Sequence, residues 1–395
     1  MGSPGGATAV TAWMAEALMD VHDVTLNATG RGVSFTELNR LYGTHLDEKK
    51  LKLCQWPQWS RFGFRKLRLL QLAALVRRLR HRPRDYDLYV SATNEVMLPA
   101  AHLQYIHFPQ RHFSVMRVQF SGPSLYLRVA NELLCRFIAW SPRIDLTKSR
   151  LLTNSAWSSR QIFAYYGVAA DVVYPPVRIS KSAPVAWSKR DLAVITIGRF
   201  HPQKRLHDAI YIVEKLRQRF PSLTLHIVGF GRGKYRDHIT RLALNRKTFV
   251  SVHENISHDS LTQLMSACRF GIHCTPNEHF GISPAELAAS GCLVFVHNSG
   301  GQVEIVDGDD ELLFDNADEA CEKISRQIEN GENAEKKALR HSESARTHFS
   351  SDHFMKQVRN AVSHFTESLY PYPPLTNGDH VLSPPRHVQL QEHRT

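Results

Sequence analysis

Between residues 192 and 297 the chain repeats one pattern: a short, unbroken apolar run followed by an amphipathic stretch. The runs fall at 192–198, 223–229, 249–252, 271–274 and 293–297, and helical patterns occupy 205–220, 234–245, 259–268 and 283–290. Unbroken apolarity means strands covered on both faces, which is the condition of a parallel sheet between helices. The alternation therefore predicts an α/β fold of the doubly wound kind. The first half reads similarly but less regularly, with strands at 88–92, 103–107, 151–154 and 172–174 and helices at 7–19, 67–79, 125–139 and 157–166.

A chain of 395 residues can hold two such domains, each with its own core. Pro175-Pro176 ends the last strand of the first half in a rigid bend. The boundary is placed after residue 178, with a polar linker through 190 opening a second domain that runs to 350. Residues 351–369 read as a terminal helix. The tail 370–395 carries five prolines and few apolar residues, and is expected to be disordered.

Charge points to anionic partners, since 49 Lys and Arg stand against 37 Asp and Glu, a net +12. A solvated basic surface explains the same excess. The six cysteines form no C-x-x-C pair and the 22 histidines no metal-binding spacing, so no metal and no other cofactor is expected. No signal segment and no apolar stretch of spanning length is apparent, which predicts a cytoplasmic protein. Arginines and a lysine at 65–68 and 77–80 flank an apolar helix centre that either docks on anionic lipid or packs in the core. No nucleic-acid platform is apparent.

Two motifs carry chemistry. Gly198-Arg199 and Lys204 follow a strand end, where open α/β sheets bind ligands, and offer two cations to a diphosphate. They read equally as solvated loop cations. Asn277-Glu278-His279-Phe280-Gly281-Ile282-Ser283-Pro284-Ala285-Glu286 places two carboxylates around a helix start. Ser283, Pro284 and Glu286 spell a capping box, so Glu286 either closes the helix or accepts from ribose hydroxyls. Amides around Phe280, Gly281 and Ile282 favour a bound phosphate. Glu278 is either a solvated loop residue or a carboxylate near a sugar. Gly300 and Gly301 form a plain turn or a loop beside the diphosphate. In the first half, Gly5 and Gly6 precede a helix and either let an acceptor or phosphate approach or form a flexible terminus, and His107 ends a strand as a catalytic candidate or a structural histidine. Arg111 binds a phosphate or is merely exposed.

Taken together, these motifs resemble the family 4 glycosyltransferases, retaining enzymes of the GT-B fold. The likeness rests on Gly198, Arg199 and Lys204, on Glu278 and Glu286, on the 298–301 loop and on Val173-Tyr174-Pro175-Pro176-Val177, and covers roughly residues 87–370. It implies two Rossmann-like domains facing a cleft, the first binding the acceptor and the second the nucleotide-sugar, with the helix 351–369 returning to the first domain. Arg199 and Lys204 would hold the donor diphosphate, Glu278 the sugar, Glu286 the ribose, and His107 would lie near the transferring sugar, without metal. The segments 277–282 and 297–301 look like mannosyltransferases that extend lipid-linked oligosaccharides. That likeness implies GDP-mannose, or a UDP-sugar second, with a lipid-linked or oligosaccharide acceptor and a peripheral place on a membrane. The family begins with an apolar strand ahead of the glycine loop; this chain has none before Gly5-Gly6, so the first domain is expected to lack a strand. A nucleotide-sugar epimerase and a non-catalytic binding homologue are the alternatives.

Overall fold

The structure, a computed structural model, describes residues 5–29, 34–56, 68–80, 86–96, 98, 102–119, 122–139, 144–180, 183–369 and 387–392. The chain divides into two units: residues 1–176 with 351–395, and 177–350.

The first unit opens with helix α1 (Gly6–Met19), strand β1 (Asp23–Thr29), helix α2 (Phe35–Tyr42) and strand β2 (Leu51–Trp56). Helix α3 (Arg68–Arg80), strands β3 (Leu88–Ser91) and β4 (His102–Ile106), and helices α4 (Phe113–Gln119) and α5 (Gly122–Ile138) follow. Strand β5 (Ser149–Thr153), helix α6 (Ala156–Tyr166) and the short strand β6 (Asp171–Val172) complete its first segment. Local chemistry sets the ends of α2: the Ser34 side chain accepts from the Glu37 amide at 3.1 Å, and Gly43 closes the helix in the left-handed region. Helix α1 buries Val10, Met14 and Leu18, and packs on Phe354, Val358 and Val362 of a helix that belongs to this unit although it follows the second one in sequence.

The second unit alternates strand and helix through its first five strands. Strand β7 (Asp191–Arg199), helix α7 (Leu206–Leu216), β8 (Thr224–Phe230), α8 (Lys234–Leu244), β9 (Val250–Glu254) and α9 (His258–Ala267) build one half. Strand β10 (Cys268–His273), α10 (Ile282–Ala289), β11 (Leu293–His297), β12 (Leu313–Phe314), α11 (Ala317–Glu329) and α12 (Gly331–His348) build the other. Its sheet is parallel in the order β12-β11-β10-β7-β8-β9. The order reverses between β7 and β10, so the loops leaving these two strands diverge and open a crevice at their C-terminal ends. Both sequence motifs lie on those loops.

Helix α13 (Ser351–Leu369) then returns to the first unit, where Arg359 Nε donates to the Ala17 carbonyl at 2.7 Å. The last element, β13 (His387–Glu392), corrects two expectations. The tail is not disordered there: β13 lies inside the first unit's parallel sheet, ordered β2-β1-β13-β3-β4-β5-β6. It pairs Leu390 with Leu26 on one side and with Val90 on the other. The sheet position between β1 and β3 is thus filled by residues 387–392, far along the chain from both. Residues 370–386 and 393–395 of the expected tail lie outside the described residues.

Helix α3 settles another alternative. Its apolar centre (Leu72, Leu75, Val76 and Leu79) is buried against Cys135 and Ala139. Those side chains belong to the core and are not available to lipid. The apolar face left open lies on α5, where Tyr126, Leu127, Leu133, Leu134 and Phe137 are each 46–78% exposed. Among the described residues no helix is long and apolar enough to cross a membrane.

Candidate functional site

Strand β7 ends at Arg199, and the chain turns at once. The Phe200 amide donates to the Phe230 carbonyl at 2.9 Å, tying this loop to the one after β8. A one-turn 3-10 helix (Pro202–Lys204) starts with the His201 imidazole accepting from the Gln203 amide. That turn aims Lys204 inward, where its Nζ donates to Oε2 of Glu278. Arg199 stays exposed at the strand end.

The loop after β10 brings Glu278 to the lysine. Asn277 adopts a left-handed conformation with φ 53°, and its amide donates to Ser299 Oγ at 2.8 Å. The Glu278 carbonyl accepts from the Gly301 amide at 2.8 Å, and Glu278 forms an isolated parallel bridge with Gly300. This crossing explains the glycine: a Cβ on Gly300 would stand 2.2 Å from the Glu278 carbonyl oxygen. Gln302 fastens the two loops further, its Nε2 donating to the carbonyls of Thr275, His297 and Ser299 at 2.7–3.1 Å.

Glu278 has a second donor that the sequence reading did not assign. His273, the last residue of β10, is buried, and its Nε2 lies 3.2 Å from Glu278 Oε2, the oxygen that also accepts from Lys204. Burial opposes charge on Glu278, but the hydrogen bond from His273 and the Lys204 ammonium overcome it and hold the carboxyl far below its usual range. His273 itself is pushed down by burial, against the pull of Glu278. His279 is likewise pushed down, chiefly by burial. The only sequence signal for His273 was an imidazole in an otherwise apolar strand.

Helix α10 starts two residues earlier than the capping-box reading requires. Its N-cap is Gly281, at φ 106°, and no side chain caps it. Ser283 therefore lies inside the helix, and Glu286 sits beyond the N3 position, where it cannot close the helix end. The first amides, including that of Ile282, are left open to a ligand such as phosphate. Phe280 is buried, its ring 5.2 Å from that of Phe349. Glu286 meets the segment that enters this unit: burial pushes its carboxyl up to about 7, against a hydrogen bond from the Arg178 backbone and the Arg178 charge. Glu278, Phe280, Gly281, Ile282, Gly300 and Gly301 thus share two interlocked loops, which Lys204 joins from the loop after β7, with Arg199 at that strand's end and Glu286 one helical turn inward.

The remaining candidates belong to the first unit. Gly5 is the N-cap of α1, ahead of Gly6, and its carbonyl accepts from the Ala9 amide at 3.2 Å. His107 leaves the end of β4. Asn94 Oδ1 accepts from the amides of His107 and Phe108 at 3.0 and 3.2 Å, and His107 Nε2 lies 3.2 Å from the Ala92 carbonyl. Arg111 is neither exposed nor open to phosphate. Its guanidinium makes two 2.9 Å bonds to Glu132 and one of 2.8 Å to the Glu95 carbonyl. Beside it, burial pushes the Glu95 carboxyl up to about 7.

Comparison with known proteins adds three findings. Residues 178–348 match the family model described as "Glycosyl transferases group 1". Among curated proteins, the chain is 29% identical over 168 residues to the human GDP-Man:Man(3)GlcNAc(2)-PP-Dol alpha-1,2-mannosyltransferase, covering 38% of this chain and 34% of that protein. It is 30% identical over 175 residues to the Dictyostelium discoideum protein of the same name, covering 39% and 35%. The chain thus spans about a third of the length of these relatives. Among solved structures, Anabaena HepE in complex with UDP superposes with a TM-score of 0.67 at 18% identity, covering 92% of this chain and 98% of that one. Sucrose-phosphate synthase from Thermosynechococcus elongatus gives 0.62 at 14% identity, covering 90% and 92%. At these identities the structures establish the fold, which is GT-B.

Proposed function

We propose that this chain, whose residues 178–348 match the group 1 glycosyltransferase family model, is a retaining transferase whose second unit binds GDP-mannose. One observation carries the reading: Lys204 and Glu278 meet beside the uncapped N-terminus of α10. That places a cation, a carboxylate and open amides together at the crevice of a parallel sheet. The donor diphosphate lies against Lys204, Arg199 and the amides at Ile282, and the ribose reaches Glu286. As the glycosidic bond breaks, the acceptor oxygen bonds to the anomeric carbon from the face the diphosphate leaves, and its proton passes to the departing phosphate oxygen. Charge growing on that phosphate is offset by the two cations and the helix amides, with no divalent ion. Ionised Glu278 faces the positive charge that develops on the sugar.

The named activity of the curated relatives supports GDP-mannose as donor and a lipid-linked oligosaccharide as acceptor. An acceptor of that kind sits in a bilayer, and the open apolar face of α5 fits an anionic membrane surface. Arg128 on the same helix, and Arg77, Arg78 and Arg80 on the α3 helix packed against it, supply matching charge.

Nucleotide release is the deciding measurement, with GDP- and UDP-sugars, with and without a lipid-linked acceptor, and with a chelator present. Acceptor-dependent release from GDP-mannose that survives the chelator is expected. Lys204→Ala lowers it by about a hundredfold. Unchanged release in Lys204→Ala would remove that residue from the donor site, and release without acceptor would favour an epimerase.

A further inference from the structure

One carboxylate oxygen, Oε2 of Glu278, is held by two donors from different parts of the second unit. Lys204 reaches it from the loop after β7 on a flexible four-carbon stem, and its side chain is 21% exposed. His273 reaches it from the end of β10, and its side chain is 4% exposed. The backbone of Glu278 is pinned by Gly300 and Gly301, so only the side-chain torsions of Glu278 remain to be fixed.

The two donors differ in what else they can do. A diphosphate carries more charge than one carboxylate and draws the mobile lysine towards itself. His273 is walled in and has nowhere to go. We propose that His273 is a positioning residue: it keeps the Glu278 carboxylate in place when the donor diphosphate draws Lys204 away. In the ligand-free protein the carboxylate then stores the lysine, and the histidine makes the exchange possible without leaving Glu278 loose. This rests on the donor reading above, and goes beyond it in giving a role to a residue that touches neither donor nor acceptor.

Two measurements test it on the full chain. The first needs no turnover. Lys204 and Glu278 are the charged groups that bear on His273, and the lysine opposes its protonation. In nitrogen-15 imidazole spectra the His273 titration therefore moves to higher pH in Lys204→Ala, and also in the wild type on addition of GDP. A titration that responds to neither overturns the proposal.

The second measurement separates positioning from folding. His273→Ala lowers kcat by about tenfold or more, while its affinity for GDP stays within about twofold of the wild type. His273→Gln, whose amide nitrogen reaches the Nε2 position, recovers most of the rate. Equal rates in His273→Ala and wild type, equal losses in both variants, or a loss of GDP affinity that matches the loss of rate would each overturn it. If the wild type binds no GDP, the donor reading fails. The Lys204→Ala titration still decides whether His273 and the lysine share the carboxylate.

Discussion

At the scale of the residue, the site rests on close approaches that few side chains tolerate. Gly300 stands in the left-handed region at φ 80°, with the Glu278 carbonyl where a Cβ would go. Gly300→Ala is expected to destabilise the protein by about 3 kcal/mol, combining backbone strain with the clash, as a fall in the denaturant midpoint would show. Glu286 makes the opposite case. Its carboxyl is raised in the folded protein to about 7 from an ordinary 4.5. The folded state then holds a proton that the unfolded chain has lost, and stability falls as pH rises between these values. Glu286 keeps some solvent contact, so the effect is on the order of 2 kcal/mol. Glu286→Gln is expected to raise the unfolding free energy at pH 8 relative to wild type, to leave it nearly unchanged at pH 4, and to weaken GDP binding at both. Stability gained together with undiminished GDP affinity would take Glu286 out of the ribose site. Motif spacing brought Lys204 and Glu278 into one reading. The partnership with His273 was not legible, because it depends on the turn at Asn277 folding the loop back on its own strand.

At the scale of the element, legibility followed burial on both faces. The strands of the second unit announced themselves as unbroken apolar runs. β1 and β2 were missed because they break that rule. In β1 Thr25 and Asn27 alternate with Val24, Leu26 and Ala28, yet all five are buried, so small polar residues occupy a face that apolar residues usually fill. The capping box misplaced the start of α10 because Gly281 allows the helix to begin before Ser283. Basic residues drew attention to α3, whereas the exposed apolar face belongs to its neighbour α5. Replacing Leu127, Leu134 and Phe137 on α5 by serine is expected to lower binding to phosphatidylserine-containing vesicles at least about tenfold in a flotation assay. Turnover of a water-soluble acceptor should stay unchanged. Equal vesicle binding would assign that face to another partner.

At the scale of the whole molecule, the two units differ in how their chain is drawn. The second is one continuous stretch, and its alternation could be read straight through. The first is assembled from both ends of the sequence, with α13 and β13 joining elements more than 200 residues earlier. A composition rule classed the tail as disordered because proline density speaks only for local preference, whereas β13 owes its order to strands on both sides. A chain ending at residue 369 is expected to lose or broaden the calorimetric transition of the first unit, lowering it by about 10 °C or more, while that of the second persists. Two unaltered transitions would mean that the sheet closes without β13.

The same connectivity reverses the usual order of folding during translation. Domains generally mature as they emerge from the ribosome, the earlier one first. Here the second unit has all its parts once residue 350 is made, whereas the first must wait for residue 392 before one of its interior strands exists. A nascent chain of this protein therefore carries an open seam between β1 and β3 until residue 392 has been made, a natural target for chaperones that grip unpaired strands.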